Sequence, residues 1–145
     1  MGDFEKEINS KFKSEHQKAF LNIKYTNTYL STIIDKIFIQ SNISSQQYNI
    51  LRILKGAKNS IKVSSVKERM IEKSPNTTRL MDKLVTKELI IRSRKEDDKR
   101  AVYVEITKSG LDLIASINVK DDRLNLSKIT KEEAFELNRI LDKIR

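Results

Sequence analysis

Two apolar runs near the middle of the chain, LIIRSR and AVYVEIT, are separated by six charged residues, KEDDKR, at positions 95–100. In the second run Val102, Val104 and Ile106 occupy alternate positions, which is the period of a half-buried strand. Two such runs joined by a polar segment predict a β-hairpin. Because one proline and three glycines leave few helix-breaking positions, the fold is predicted to be mainly α with this small β-hairpin.

Positive charge is concentrated in the middle of the chain. The net charge is +9, and residues 44–110 hold 16 Lys/Arg against eight Asp/Glu, a balance of +8. The other residues hold 13 against 12. A localised basic segment is typical of a protein that binds an anionic partner, usually nucleic acid. The alternative is a lysine-rich composition that only aids solubility.

Two helices are predicted between residues 44 and 73. Residues 44–47, SSQQ, form a capping box, so the first helix is predicted to begin at Ser45. Gly56, near its end, can supply a left-handed cap. The second helix is short and is predicted to begin near Ser64 or Ser65. Its apolar residues are expected to point inward; they are Val66, Met70 and Ile71.

A third helix is predicted to follow Ser74 and Pro75, with the serine as cap and the proline at the first helical position. Leu80, Met81 and Leu84 form its apolar face. The opposite face carries amide, hydroxyl and guanidinium groups, which hydrogen-bond base edges and phosphates. The DNA contacts predicted for this helix are Ser74, Asn76, Thr77, Thr78, Arg79 and Lys83.

Helix, short helix, polar-faced helix and hairpin, in that order, make the plan of a winged helix-turn-helix lobe. The polar-faced helix fits the major groove, and the hairpin, or wing, reaches the adjacent minor groove, where negative potential is deepest. Arg100 is the predicted minor-groove cation, and Asp98 is expected to accept from its guanidinium and fix it. The whole charged run is expected to connect the strands. The predicted wing contacts are Arg92, Arg94, Asp98, Lys99 and Arg100.

Both ends of the chain carry apolar helical faces. Residues 4–40 are predicted to form one long helix, kinked near Asn27, and residues 130–145 a second helix behind a capping box. A further helix is predicted to open at Thr107. Such faces suggest a partner chain; the alternative is a monomer in which both ends pack on the middle. The predicted regions are a dimerisation helix at 1–40, a DNA-binding lobe at 41–107 and C-terminal dimerisation helices at 108–145.

Four segments, taken together and in order, resemble the multiple antibiotic resistance regulator (MarR) family of bacterial transcription factors. They are ISSQQYNIL, TTRLMDKL, LIIRSRKEDDKR and VEITKSG, and the close resemblance covers about residues 40–112. Residues 98–100 match the family's Asp-x-Arg wing signature, Arg92 matches a basic residue six positions earlier, and residues 107–110 match its Thr-x-x-Gly. Glu88 departs from the family, since members commonly have glycine there, so the third helix is expected to end without the usual left-handed glycine.

The resemblance implies an obligate homodimer, held by its N- and C-terminal helices on a palindromic operator in double-stranded DNA. It also implies a repressor that is released by a small ligand or an oxidant. Oxidation through cysteine is excluded, because the chain has none. A small-molecule effector pocket lined by Tyr25, Tyr29 and Arg52 is one interpretation. The alternative is that these residues only pack or lie in solvent.

No catalytic residue, metal site or cofactor is predicted. The chain has no phosphate-binding glycine loop and no nucleophile elbow, and its single histidine, His16, has no evident nucleophile partner. With neither an export signal nor a membrane-spanning run, the expected location is cytoplasmic. The alternative function is a winged-helix module for protein–protein assembly or RNA binding. RNA recognition is less favoured, because most aromatic residues lie outside the basic segment.

Overall fold

The computed structural model describes residues 4–117, 119–120 and 123–145, and it shows a mainly helical chain with a small antiparallel sheet. The elements in chain order are α1 (Phe4–Glu7), α2 (Glu15–Ile39), α3 (Ser45–Ala57), β1 (Ile61–Lys62), α4 (Val63–Arg69), α5 (Thr77–Thr86), β2 (Ile90–Lys95), β3 (Asp98–Ile106), α6 (Lys108–Ser116), a 3-10 helix (Leu126–Lys128) and α7 (Lys131–Ile144). The predicted fold class, mainly α with a β-hairpin wing, is confirmed.

The chain forms two compact units. The central unit is Asp35–Val119, and it contains the sheet together with α3, α4, α5 and α6. The terminal unit combines Met1–Ile34 with Lys120–Arg145. The candidate functional residues of the polar-faced helix and of the wing all lie in the central unit.

The sheet has the strand order β1–β3–β2, and both pairings are antiparallel. Strands β2 and β3 form the predicted hairpin, in which Ile90 lies opposite Ile106. Strand β1 is only two residues long and pairs with the other edge of β3, where Ile61 lies opposite Val104. A strand this short has no detectable periodicity, so the sequence did not predict it.

The turn of the wing is shorter than expected. The six charged residues were predicted to connect the strands, but β2 continues to Lys95 and β3 begins at Asp98, so the turn is formed by residues 96–97. Charged side chains do not prevent backbone pairing at an exposed sheet edge, where they remain in water. The register of the two strands also shifts between Ser93 and Lys95, which interrupts the ladder near the tip.

The core of the central unit is built where the inner faces of α3, α4 and α5 meet the sheet. Burial of each large aliphatic side chain there contributes about 1.5–3 kcal/mol. The buried aliphatic residues include Ile50, Leu51, Leu54, Val66, Met81, Leu84, Ile90 and Val104. The prediction that Ile71 points inward is wrong, because α4 ends at Arg69 and the Ile71 side chain is 86% exposed.

The start of α3 was predicted correctly and its end was not. The Gln47 amide donates to Ser44 Oγ at 3.1 Å, and the Ser44 amide donates to Gln47 Oε1 at 3.0 Å, so the capping box is present. The left-handed residue at the other end is Lys58, with φ of 61°, rather than Gly56. Gly56 lies two residues earlier, inside the helix.

Helix α5 begins two residues later than expected. Ser74 and Pro75 belong to a turn in which Ser74 Oγ accepts from the Asn76 amide at 3.1 Å and Thr77 Oγ1 donates to the Ser74 carbonyl at 2.8 Å. Ser74 therefore caps this turn, and the residue before the helix is Asn76. The other end of α5 was also unexpected: Glu88 adopts the left-handed conformation, with φ of 56°, although it is not glycine.

The prediction of one helix over residues 4–40 is wrong. Helix α1 ends at Glu7, Asn9 has a left-handed φ of 48°, and α2 begins at Glu15 and continues through Asn27. The Gln17 amide donates to Ser14 Oγ at 3.2 Å, which caps the start of α2. The Ser-x-x-Gln spacing here is the same as in the capping box of α3, and it marked this helix start in the sequence.

The terminal unit contains an aromatic cluster and two largely exposed apolar faces. Phe4 is buried, stacks on Phe12 with ring centroids 5.3 Å apart, and contacts Tyr25 at 5.4 Å. The predicted capping box at the start of α7 is confirmed. The exposed apolar side chains of α2 and α7 include Phe20, Ile23, Tyr29, Phe135, Leu137, Ile140 and Ile144. No helix among the described residues is both long and apolar enough to cross a membrane.

Candidate nucleic-acid interface

The two faces of α5 are divided as the sequence predicts. Met81 and Leu84 are buried, whereas Thr78, Arg79 and Lys83 are exposed on the other side. Asn76, just before the helix, is exposed as well. The outer face therefore presents an amide, a hydroxyl and two cations to solvent, which are the groups that contact base edges and phosphates.

Two of the residues predicted to contact DNA from α5 are less exposed than the others. Thr77 is only 1% exposed, and its hydroxyl donates to the Ser74 carbonyl, so it does not fit the prediction of a DNA contact. Ser74 is half-buried, and its hydroxyl accepts from the Asn76 amide. Thr77 faces inward because it lies one turn before Met81, on the buried face of α5.

Arg92 on β2 is directed at α5. Its Nη1 lies 2.5 Å from Asp82 Oδ1, and its Nη2 donates to the Thr78 carbonyl at 3.3 Å. The guanidinium thus bonds to both a side chain and the backbone of the helix. The sequence predicted Arg92 as a phosphate contact; the structure shows that it also holds the strand against the helix.

Asp98 does not accept a hydrogen bond from the Arg100 guanidinium, although this was predicted. Its Oδ2 accepts from Lys62 Nζ at 2.9 Å, and its Oδ1 accepts from the Ala101 amide at 3.3 Å. The hydrogen bond from Lys62 holds the pKa of the Asp98 carboxyl below its usual range, and the same bond raises the pKa of Lys62. The Arg100 guanidinium is exposed and makes no hydrogen bond or ion pair with any described residue. It therefore remains available to a ligand.

The ring of Tyr103 on β3 is close to two lysine side chains. Lys95 Nζ is 4.4 Å from the ring centroid, and Lys62 Nζ is 5.9 Å from it. Both distances are within the range of a cation–π interaction. The Tyr103 ring therefore keeps the ammonium groups of Lys62 and Lys95 close to the hairpin. The sequence alone did not indicate Lys62 as a site residue, because its partner Asp98 lies 36 positions away.

A cavity of about 370 Å³ lies between α5, the start of α4 and the wing. Three cations and two hydroxyl groups line it together with small apolar side chains. The lining residues are Lys62, Val63, Ser64, Thr78, Arg92, Arg100, Ala101 and Val102. The cavity is a surface depression with a cationic wall that suits an anionic group. The other exposed cations of the predicted interface are Arg79, Lys83, Arg94 and Lys99.

The turn between α4 and α5 is held by polar side chains of α3. Asn49 Oδ1 accepts from the Ile71 amide at 3.0 Å, and Gln46 Nε2 donates to Glu72 Oε2 at 2.9 Å. These contacts position the turn that leads into α5. The sequence indicated Gln46 only as part of the capping box, and neither contact could be predicted, because the partners are more than 20 positions away.

The residues predicted for an effector pocket are divided between the two units of the chain. Tyr25 packs against Phe4, and the Tyr29 hydroxyl accepts from Asn125 Nδ2 at 2.7 Å; both tyrosines lie in the terminal unit. Arg52 is exposed on α3 in the central unit. Among the described residues, no group of three or more histidine or acidic side chains could hold a metal ion.

A short helix, a polar-faced helix and a basic wing, all on one compact unit, define a winged helix-turn-helix protein. The MarR family model matches residues 43–102, which run from the start of α3 into the wing. A MarR transcription factor from Planctomyces limnophilus has 30% sequence identity and a TM-score of 0.68, and the match covers 91% of this chain and 98% of that chain. The chain therefore belongs to the MarR family of winged helix-turn-helix transcription regulators.

Two further relatives agree with this assignment. The HTH-type transcriptional regulator PecS of Dickeya dadantii is 27% identical over 116 residues, covering 77% of this chain and 70% of PecS. A MarR mutant from E. coli, solved in complex with operator DNA, has the same fold, with a TM-score of 0.79 at 22% identity; the match covers 93% of this chain and 99% of that chain. These relatives are transcription regulators rather than enzymes.

Proposed function

We propose that the protein is a homodimeric repressor that binds a palindromic operator in double-stranded DNA, with α5 in the major groove and the wing in the minor groove. The observation that carries the proposal is the cationic cavity between α5 and the wing, which is lined by Lys62, Arg92 and Arg100. When a helix and a wing occupy neighbouring grooves, the sugar-phosphate strand between those grooves passes over the surface that separates them. The charges of the cavity wall lie where that strand would run.

The proposed contacts of α5 are Asn76, Thr78, Arg79 and Lys83, with Ser74 at the edge of the interface. All except Ser74 are exposed. Asparagine and arginine side chains discriminate between base pairs through paired hydrogen bonds, whereas lysine acts mainly on phosphates. We leave Thr77 out of the interface because it is buried.

The wing is proposed to contribute Arg100 to the minor groove, and Arg94 and Lys99 to phosphates. The Arg100 guanidinium is exposed and unbonded among the described residues, so its approach to DNA breaks no internal contact. Arg92 and Asp98 are proposed to keep α5 and the wing in position, in accordance with their bonds to Asp82 and Lys62.

A second copy of the chain is the proposed partner of the exposed apolar faces on α2 and α7. Phe20 is 59% exposed and Phe135 is 72% exposed, and large apolar faces on a charge-rich protein mark interaction surfaces. In this proposal residues 1–40 and 108–145 supply the dimer contacts, and 41–107 form the DNA-binding lobe. A two-fold axis would place the two α5 helices about 34 Å apart, one turn of DNA.

A small-molecule effector would act on the separation of the two α5 helices, because affinity for a fixed half-site spacing depends on that distance. Tyr25, Tyr29 and Arg52 are the proposed contacts, and all three are partly exposed. The existing contacts of Tyr25 with Phe4 and of Tyr29 with Asn125 would then be the ones that an effector alters.

The test is to recover bound sequences from a randomised duplex pool and to determine the oligomeric state by sedimentation. We expect a two-fold symmetric sequence and a dimer. The recovered duplex should bind more tightly than a scrambled duplex of the same composition by a factor of at least about 1,000 at physiological salt. A single-subunit species, or equal affinity for both duplexes, would contradict the proposal. Preferential binding to single-stranded RNA would point to the alternative function.

A further inference from the structure

Lys62 connects the wing to the beginning of the helix-turn-helix. It is the last residue of β1 and immediately precedes Val63, the first residue of α4. Its side chain reaches Asp98, the first residue of β3, with 2.9 Å between Nζ and Oδ2. The second Asp98 oxygen accepts from the Ala101 amide at 3.3 Å. The Asp98 carboxylate therefore links the N-terminal end of α4 to the backbone next to Arg100.

The tip of the wing has little backbone support of its own. Strand β1 pairs with β3 only at Val104 and Tyr103, so its ladder stops short of the tip. The ladder between β2 and β3 is interrupted between Ser93 and Lys95. The side-chain contact from Lys62 to Asp98 thus spans a region in which strand pairing is absent or irregular.

Lys62 also lines the cavity beside α5, so a simpler role would be a direct phosphate contact. The two roles predict opposite effects at Asp98. If Lys62 only neutralises phosphate, removal of the Asp98 charge relieves repulsion with DNA and strengthens binding. If the pair holds the wing, removal of either partner weakens binding.

We propose that Lys62 is a positioning residue that acts through Asp98 to hold the wing where Arg100 can enter the minor groove. The inference rests on the proposed function, because it requires the wing to contact DNA. It predicts that Lys62 and Asp98 behave as one unit, and that their effect depends on Arg100.

The test is a double-mutant cycle on the tightest-binding duplex from the randomised pool, measured by fluorescence anisotropy at fixed salt. Lys62→Met and Asp98→Asn should each weaken binding by at least about threefold, and by no more than Arg100→Ala does. The double variant should bind like either single variant. Lys62→Arg should retain most of the affinity. In an Arg100→Ala background, Lys62→Met should have no further effect.

Lys55 on α3 and Glu105 on β3 are the controls, since both are exposed and lie outside the proposed DNA and dimer contacts. Lys55→Met and Glu105→Gln should leave affinity within about twofold. Three results would overturn the inference. They are tighter binding by Asp98→Asn, a loss in the double variant equal to the sum of the two single losses, and an undiminished effect of Lys62→Met in the Arg100→Ala background. Failure of the wild-type chain to select any duplex would instead contradict the proposed function, so the two failures are distinct.

Discussion

The guanidinium of Arg92 ties strand β2 to the outer face of α5 through Asp82, with 2.5 Å between Nη1 and Oδ1. Its second nitrogen donates to the Thr78 carbonyl at 3.3 Å. Two bonds from one planar group restrict both the distance and the angle between strand and helix. Asp82, an acidic residue on a face proposed to meet DNA, is explained by this contact.

Asp82→Ala should therefore weaken binding to the recovered duplex, although it removes a negative charge from the interface. The Arg92 side chain loses its main partner, and α5 is less firmly oriented. We expect a loss of about two- to fivefold, since the pair is partly exposed. Anisotropy titration measures it. Glu68→Ala, which removes an exposed acid from α4, is the control and should not weaken binding. Stronger binding by Asp82→Ala would contradict the orienting role.

Arg100→Ala should reduce affinity for the recovered duplex by about 1–3 kcal/mol if the guanidinium enters the minor groove.

Lys83→Ala should instead weaken all duplexes alike and reduce the slope of log affinity against log salt by about 0.9, as expected for one lost phosphate contact. Titrations of both variants on the recovered and scrambled duplexes distinguish these effects. Unchanged affinity of Arg100→Ala would refute its role, and a sequence-selective loss in Lys83→Ala would identify a base contact.

Gly110→Ala should destabilise the protein by at least about 1–3 kcal/mol. A Cβ at this position would lie 2.3 Å from the Leu89 carbonyl oxygen and 2.7 Å from Ile106 Cγ1, so α6 and the strand ends would have to separate. Denaturant unfolding measures the change. Gly56→Ala is the matched control: it lies inside α3 with nothing within 4 Å of the new Cβ. It should stabilise the protein by about 0.5–1 kcal/mol. Equal effects at the two sites would contradict the close approach at Gly110.

Glu88→Gly should stabilise the protein by roughly 0.5–1 kcal/mol. Glu88 has a φ of 56°, its amide donates to the Val85 carbonyl at 2.8 Å, and the Leu89 amide donates to the Leu84 carbonyl at 3.0 Å. These are the bonds of a Schellman helix end, which favours glycine because a side chain is strained there. Thermal unfolding should show a higher midpoint. A lower midpoint would mean that the Glu88 side chain makes a compensating contribution.

The pKa of Asp98 should rise towards its ordinary value in Lys62→Met. In the folded wild type Lys62 lowers the Asp98 pKa, so the pair contributes stability above the unfolded value of about 3.9 and loses it as the pH falls through the folded pKa. The Lys62 pKa is raised, so the same contribution is present below about 10.4 and is lost as the pH rises through the folded value. NMR titration of the Asp98 carboxyl measures the shift. Lys99→Met, which removes a neighbouring charge but no hydrogen bond, should move it much less.

Local spacing was enough to predict the elements that carry the site. The capping boxes at Ser44 and Thr130, the two faces of α5 and the hairpin were all predicted correctly, because each depends on residues a few positions apart. The Ser14-x-x-Gln17 spacing marks the start of α2 in the same way. This start was not predicted, because the apolar residues that recur along 4–40 were interpreted as one continuous helix.

The partners of the site residues were decided by the tertiary structure. Asp98 was matched to its near neighbour Arg100, but the fold brings Lys62 to it across 36 positions. Arg92 likewise bonds to Asp82 on another element. The sequence by itself determined the order of α3, α4, α5 and the wing, and the position of the basic charge. Which charges pair internally and which remain exposed depends on packing between distant segments, because ion-pair formation requires proximity in space and not in sequence.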